Sequence, residues 1–227
     1  MFDSIADRYD TINRVLALRM DIGWRSVMTN DIKKILILDI ATGTADVALQ
    51  LIDDLSTSST STSTNTQDYD VTVLGLDPSE NMLSVGRKKI NKRGLEKQIV
   101  LERADARDLS NYYTNNNNPQ SQLLFDAATI AFGIRNVVPN RDLALCEIYK
   151  LIKPNGVLAI LEFSQPSYDS NGILGAAAGV FIEHVVPFIG GILSGGARQE
   201  YIHLQNSIKE FPSPEQFKNQ LQNLECS

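Results

Sequence analysis

A turn of small residues around position 43 has the composition of a site for a small zwitterionic ligand. An apolar run over residues 35–40 contains Asp39 and leads into a turn with Gly43 and Thr44. Carboxylates accept hydrogen bonds from amino groups, and backbone amides at a tight turn bind carboxylates. The turn has one glycine, whereas the dinucleotide fingerprint places three around a pyrophosphate. The pattern therefore favours S-adenosylmethionine over a dinucleotide, with an ordinary buried strand and turn as the alternative.

A second acidic residue, Asp77, stands at the spacing expected of a ribose-binding carboxylate. It follows Gly43 by 34 residues, and fourteen of these form a Ser/Thr-rich insert at 56–69. Without the insert the interval is 20 residues, the usual distance from the glycine turn to the acid that ends the second strand. Asp77 also begins the sequence DPSE, which is typical of a helix start with proline in the first turn. We expect Asp77 to bind ribose hydroxyls and to support the start of a helix as well.

A third acidic residue, Asp105, follows the next apolar run at the same edge of the expected sheet. Its carboxylate could accept the amino group of adenine, while the backbone amide of Ala106 donates to a ring nitrogen. An exposed acid in a loop is commonplace, so Asp105 is weak evidence when it is taken alone.

The composition excludes several classes of function. The chain has 227 residues, a formal net charge of −6 and 43% hydrophobic residues, which indicates an acidic globular protein. No block of Lys and Arg provides the charge that binding to nucleic acid requires. The basic cluster at 87–93 is expected to be a solvated helix face. His184 and His203 are the only histidines, so we expect no histidine-rich metal site.

Apolar runs that alternate with helical patterns predict the elements that position these residues. Strands are predicted at 35–40, 71–76, 99–101, 123–131 and 157–163. Such alternation indicates an α/β fold with a mainly parallel, doubly wound sheet. Two polar inserts, at 56–69 and 111–122, are expected to be surface loops without regular structure. The whole chain, 1–227, is expected to form one domain.

The segment at 170–205 is apolar, but it makes a poor transmembrane span. Glu183, His184 and Pro187 lie in its middle, where charge and helix breaking are costly in lipid. We expect a helical segment on the substrate side, which lines an apolar tunnel or rests on a membrane surface. Packing within the core is the alternative explanation.

Several motifs together resemble the ubiquinone/menaquinone C-methyltransferase family of the UbiE/MenG type. The two most specific are FGIRNV at 132–137 and LEFS at 161–164. The resemblance runs nearly from end to end, and its further motifs are FDSIA at 2–6 with Tyr9, Asp10 and Asn13, DIATGTAD at 39–46, DPSENML at 77–83, IKPNG at 152–156, and Ser207 with Phe211 and Pro212.

The resemblance implies a class I S-adenosylmethionine-dependent fold and methyl transfer to a ring carbon of a polyprenylated quinol precursor. The family's cofactor contacts fall on Thr44, Asp77, Asp105 and Ala106. A further ligand position is commonly Ser in the family and is Ala131 here, so only a backbone contact is expected there.

The implied reaction assigns roles to four other residues. Arg135 is expected to stabilise a developing phenolate, and Asn136 to hold a quinol oxygen. Arginine is a poor base, since its pKa lies above about 12. Tyr9 belongs to a segment that resembles the family's lid over the cofactor, or it is a packing residue. His184 is a speculative base, although a lone histidine on an apolar segment is more often structural.

The resemblance also bears on the end of the chain, the partners and the location. Family members continue through a helix and two final strands, so we expect these C-terminal strands to be missing here. A member that binds S-adenosylmethionine without turnover, or a scaffold in a quinone-biosynthesis complex, is therefore the alternative function. We expect peripheral membrane contact and a complex or homodimer. The Ser/Thr and Asn tracts favour a eukaryotic source, hence the matrix side of the mitochondrial inner membrane or a plastid, with no targeting segment visible.

Overall fold

The computed structural model describes residues 36–58, 71–115, 124–163 and 206–226 of the chain. The chain divides into two compact units, one of Ile22–Leu161 and the other of Met1–Asp21 with Glu162–Ser227. The expectation of a single domain over 1–227 stays a prediction. Tyr9, His184 and the predicted helical segment at 170–205 lie outside the described residues.

The unit of Ile22–Leu161 alternates strands and helices as the apolar pattern predicts. Its elements are β1 (Leu36–Ile40), α1 (Asp46–Ser58), β2 (Thr72–Asp77), α2 (Glu80–Arg93), β3 (Ile99–Arg103), α3 (Leu109–Asn115), β4 (Phe125–Ala131), a 3₁₀ turn (Ile134–Asn136), α4 (Arg141–Lys150) and β5 (Ile152–Leu161).

The described strands form one five-stranded sheet in the order β3-β2-β1-β4-β5. All four neighbouring pairs are parallel, so the predicted parallel α/β fold is confirmed. From β1 the chain proceeds outward to β2 and β3 on one side, and then returns to β4 on the other. Ligands of open α/β sheets bind in the crevice at the carboxyl ends of the strands, where the order reverses. Here that crevice lies beyond β1 and β4.

The core lies between the sheet and its helices, and the sequence explains why the strands are central. Ile37, Leu38 and Val73 are completely buried, as expected for parallel strands that are covered on both faces. On α1 the buried residues Ala48, Leu51 and Ile52 share one face of the helix. Burial of these apolar side chains supplies the main driving force for folding this unit.

The expected loop at 111–122 is wrong in its first part. Helix α3 covers Leu109–Asn115, because Leu109 and Tyr113 lie one helical turn apart and both are buried in the core. The polar residues between them lie on the other side of the helix. Similarly, α1 continues to Ser58, so the first insert begins inside a helix. Strand β5 begins at Ile152, earlier than predicted, through an irregular register against β4.

The other unit is described at Glu162, Phe163 and 206–226. Residues 206–210 are helical, and α5 covers Pro214–Gln222. Ser213 and Gln216 form a capping box at the start of α5, which satisfies backbone donors that the first turn leaves unbonded. The rings of Phe211 and Phe217 pack with their centroids 5.0 Å apart. No helix in the part of the chain that the structure describes has the length and apolar character to cross a membrane.

Candidate functional site

Asp39 lies beneath the turn at the end of β1 and is only 1% exposed. Its Oδ2 accepts a hydrogen bond of 2.6 Å from Thr42 Oγ1, and its Oδ1 accepts one of 2.6 Å from Thr129 Oγ1 on β4. A buried carboxylate needs such donors to offset the cost of desolvation. The side chain therefore holds the turn and β4 together. Direct contact of Asp39 with a cofactor stays a prediction.

The turn after β1 keeps an unusual backbone. Ala41, Gly43 and Ala45 have φ angles of 54°, 56° and 66°. The left-handed region costs a residue with a Cβ atom about 1 to 2 kcal/mol, so packing around the turn must hold the two alanines in place. Ala45 is completely buried. The strained residues lie at the edge of the predicted crevice, where strain of this kind accompanies binding sites.

Asp77 ends β2, as the corrected spacing predicts, and it also contacts the turn after β1. Its Oδ2 accepts a 3.0 Å bond from the N–H of Gly43, and its Oδ1 accepts a 2.8 Å bond from the N–H of Ser79. Ser79 in turn caps α2, since its hydroxyl accepts from the N–H of Met82. Asp77 thus supports both the turn and the helix start. Pro78 precedes the cap, so its expected place in the first helical turn is wrong.

Asp105 follows β3 and forms an ion pair with a near neighbour. Arg107 donates to it through Nε at 2.9 Å, through Nη2 at 2.6 Å and through its backbone N–H at 2.9 Å. The hydrogen bonds from the Arg107 side chain lower the pKa of Asp105 below its ordinary value, although partial burial acts in the opposite direction. Ala106 lies between them and is half-buried. The N–H of Ala104 donates to the carbonyl of Asp77, which places the two predicted cofactor acids at neighbouring strand ends.

The FGIRNV loop leaves β4 after Ala131, which is half-buried. Phe132 has a φ of 59°, and its N–H donates to the carbonyl of Leu161 at 2.8 Å. Arg135 is 5% exposed, and its Nη1 donates to the carbonyl of Phe132 at 2.9 Å. The N–H of Asn136 donates to the carbonyl of Gly133 at 3.0 Å. The guanidinium is thus held under its own loop, and the predicted substrate residues Arg135 and Asn136 lie on one 3₁₀ turn.

Gly133 brings this loop against the turn after β1. A Cβ atom at Gly133 would lie 2.4 Å from the Cβ of Ala41, so only glycine permits the observed approach. The FGIRNV loop and the turn after β1, residues 41–45, are therefore in direct contact; we refer to this turn, from its predicted role, as the cofactor turn. This contact joins the predicted cofactor residues to the predicted substrate residues.

Two basic residues join the site without having been predicted. Lys89 was expected on a solvated face, but its Nζ donates to Thr44 Oγ1 at 2.9 Å and to Asp46 Oδ1 at 2.8 Å. Arg107 was not singled out at all. Lys89 follows Gly86 by one helical turn on α2, and this spacing was the available signal that Lys89 lies on the packed face of the helix. A glycine within a helix indicates close packing there.

Comparisons with known proteins agree with this geometry. Residues 1–225 match the ubiE/COQ5 methyltransferase family. The ubiquinone/menaquinone biosynthesis C-methyltransferase UbiE of Geotalea daltonii is 37% identical, over 96% of this chain and 83% of that protein. The demethylmenaquinone methyltransferase of Thermus thermophilus is 36% identical, over 96% of this chain and 87% of that protein.

Two solved structures share the fold. An O-methyltransferase family protein from Burkholderia thailandensis superposes with a TM-score of 0.54 at 14% identity, covering 82% of this chain and 52% of that one. Phosphoethanolamine N-methyltransferase 2 of Haemonchus contortus, in complex with S-adenosyl-L-methionine, superposes with a TM-score of 0.50 at 17% identity. The superposition covers 84% of this chain and 33% of that one. The match over nearly the whole chain shows that this protein belongs to the ubiE/COQ5 methyltransferase family, and is an S-adenosylmethionine-dependent methyltransferase.

Proposed function

We propose that this chain methylates a ring carbon of a polyprenylated quinol precursor of ubiquinone or menaquinone. The observation that carries the proposal is the buried guanidinium of Arg135, which bonds to Phe132 in the loop that contacts the cofactor turn. A permanent positive charge at this place suits a substrate that becomes a phenolate. The names of the relatives, which include both C-methyltransferase UbiE and demethylmenaquinone methyltransferase, support a quinol as the substrate class.

The residues at the crevice fit S-adenosylmethionine. An ionised carboxylate offers about four acceptor positions, so the two backbone amides that hold Asp77 are compatible with bonds from both hydroxyls of a ribose. Asp105 and the amide of Ala106, at the neighbouring strand end, suit an adenine. The turn at Gly43 and Thr44 suits the methionine end. When bound, the cofactor supplies a methyl group on an electrophilic sulfonium.

The chain's own residues prepare the quinol. A ring carbon becomes nucleophilic when a hydroxyl ortho or para to it loses its proton to a base. Once that carbon carries the methyl group, its own hydrogen leaves as a second proton and the ring becomes aromatic again. Arg135 lowers the energy of the resulting phenolate, since burial strengthens the attraction between the two charges. Asn136 holds a second quinol oxygen and fixes the orientation of the ring. The enzyme must also align the ring carbon with the methyl group and exclude water.

Other parts of the proposal concern residues that the structure does not describe. We assign closure over the cofactor to the segment of Tyr9, and the role of base to His184. A prenyl tail is soluble only in an apolar medium, so the substrate is presented at a membrane surface. We place the enzyme at the matrix face of the mitochondrial inner membrane, with a plastid as the alternative, in a homodimer or a quinone-biosynthesis complex.

The first experiment is an assay of the purified chain with radiolabelled S-adenosylmethionine and short-chain quinols. Demethylmenaquinol and 2-polyprenyl-6-methoxy-benzoquinol analogues are compared under reducing conditions, and labelled product is counted. Incorporation into either quinol supports the proposal, and the ratio of the two kcat/KM values identifies the substrate. Binding of S-adenosylmethionine without incorporation into either would favour the alternative of a non-catalytic scaffold.

Arg135→Ala tests the role of the guanidinium. We expect cofactor affinity to stay within about twofold while kcat falls by about 100-fold or more, as for loss of one preorganised charge at a transition state. Calorimetric titration with S-adenosylhomocysteine serves as the control for folding. Unchanged kcat in a variant that binds the cofactor normally would contradict the assignment.

A further inference from the structure

Lys89 connects helix α2 to the cofactor turn. Its ammonium donates to the hydroxyl of Thr44 at 2.9 Å and to the carboxylate of Asp46 at 2.8 Å. Thr44 is only 3% exposed, whereas the side chain of Lys89 is 26% exposed. One charged donor therefore reaches from the surface to a buried hydroxyl of the predicted site.

The packing of α2 explains why Lys89 reaches the turn. Met82, Gly86 and Lys89 lie at intervals of four and three residues, hence on one face of the helix. A Cβ atom at Gly43 would lie 3.3 Å from Met82 Cε, and one at Gly86 would lie 3.2 Å from the carbonyl carbon of Thr44. The helix thus packs along the whole turn, and Lys89 is at the end of the contact.

The chemistry of the two groups sets the direction of the hydrogen bond. An ammonium has donors and no acceptor, while a hydroxyl has one donor and two acceptor lone pairs. Thr44 Oγ1 therefore accepts from Lys89, and its own hydrogen is directed away from the ammonium. Among the charged groups of S-adenosylmethionine, only the carboxylate accepts hydrogen bonds.

We propose that Lys89 is a positioning residue for the cofactor: it orients the Thr44 hydroxyl as a donor to the cofactor's carboxylate. The inference rests on the proposed place of the methionine end at Gly43 and Thr44. Asp46 keeps the ammonium in place by pairing with it. This ion pair is partly buried, and the contact with Thr44 is what links Lys89 to the predicted cofactor site.

The test compares two ligands that differ only at the end in question. S-adenosylhomocysteine has the amino acid end, and 5′-methylthioadenosine lacks it. Lys89→Met keeps the aliphatic stem and removes the donors. We expect the Kd for S-adenosylhomocysteine to rise about 5- to 10-fold, in line with loss of a charge-assisted bond, and the Kd for 5′-methylthioadenosine to change less than about twofold.

Two further variants keep the result interpretable. Lys88→Met changes an exposed lysine on the same helix, and we expect both affinities to stay at the wild-type value. Thr44→Val removes the hydroxyl through which Lys89 acts. Adding Lys89→Met to that variant should therefore weaken S-adenosylhomocysteine binding no further. Lys89→Arg keeps a charged donor and should restore most of the affinity.

The outcomes separate this inference from the proposed function. Equal weakening of both ligands by Lys89→Met, or independent effects of the two substitutions, would overturn the role of Lys89. If Lys89→Met does not fold, the Kd values for S-adenosylhomocysteine and 5′-methylthioadenosine are compared between Lys89→Arg and Thr44→Val instead, and this comparison decides whether Lys89 positions the cofactor. None of these measurements uses a quinol, so failure of the methylation assay would leave the binding result intact.

Discussion

Asp77 ends β2 and Asp105 follows the neighbouring parallel strand β3; both are predicted to bind the same cofactor, but the fold holds them in different ways. Asp77 is 8% exposed, and backbone amides of Gly43 and Ser79 fix its two oxygens. The Asp105 side chain is 38% exposed, and the bonds that hold it come from Arg107, two residues further along the chain.

The difference shows how preorganisation depends on what supports a side chain. Backbone amides are held by the sheet and by α2, so the carboxylate of Asp77 is positioned before any ligand arrives. An exposed ion pair costs side-chain entropy and is screened by salt, so Arg107 can exchange its partner readily. We therefore expect Asp77 to contribute more to cofactor affinity than Asp105, although both stand at strand ends.

The largest effect is expected from Asp77→Ala. It removes the predicted ribose acceptor and also the acceptor of two backbone amides, so cofactor binding should weaken by about 1 to 3 kcal/mol. Calorimetric titration with S-adenosylmethionine measures the change. Equal affinity in the wild type and in this variant would contradict the assignment to the ribose.

Gly86→Ala should disturb the packing of α2 against β3 and against the turn after β1. The added Cβ would lie 2.8 Å from Leu101 Cδ1 and 3.2 Å from Ala45 Cβ, and overpacking of this kind costs about 1 to 3 kcal/mol of the free energy of unfolding. Chemical denaturation gives the value, with Lys88→Ala on the exposed face of the same helix as the control. Wild-type stability in Gly86→Ala would mean that α2 packs less closely on the turn than the structure shows.

Asp105→Ala should have a smaller effect on the same titration. Because the carboxylate is partly exposed and solvated, its loss is expected to weaken S-adenosylmethionine binding by less than about fivefold. The comparison with Asp77→Ala is direct, since both remove one carboxylate. A loss at Asp105 as large as that at Asp77 would show that burial does not decide the contribution of these two acids.

The smallest effect is expected from Arg107→Ala, which should change the pKa of Asp105 without a large change in affinity for S-adenosylmethionine. The bonds from Arg107 lower the pKa of Asp105, so Arg107→Ala should raise that pKa toward the ordinary value. A lowered carboxyl pKa contributes stability that is present above the unfolded pKa of about 3.9 and is lost as the pH falls through the folded value. Carboxyl-carbon NMR titration of both proteins measures the shift, and identical titration curves would contradict the ion pair in solution.

Much of the fold and part of the site follow from local sequence patterns. Apolar strands that alternate with helices predict a parallel sheet, because a crossover helix has to return the chain to the same sheet edge. The interval from Gly43 to Asp77, corrected for the polar insert, predicts that Asp77 ends the second strand, as the structure shows; the 3.0 Å bond from the N–H of Gly43 to Asp77 was not predicted. Motifs of the FGIRNV loop identify the family, since they combine residue types that packing alone does not require.

Other features depend on distances that only the folded chain defines. Lys89 and Thr44 are separated by 45 residues, and their contact arises because Gly86 allows α2 to approach the turn. The helix at Leu109–Asn115 forms in a segment with a polar composition because the core accepts Tyr113. The sequence by itself determined the order of the elements and the sheet edge that carries the site. Only the tertiary structure decided which charged groups meet there, because contacts between distant elements depend on packing rather than on spacing along the chain.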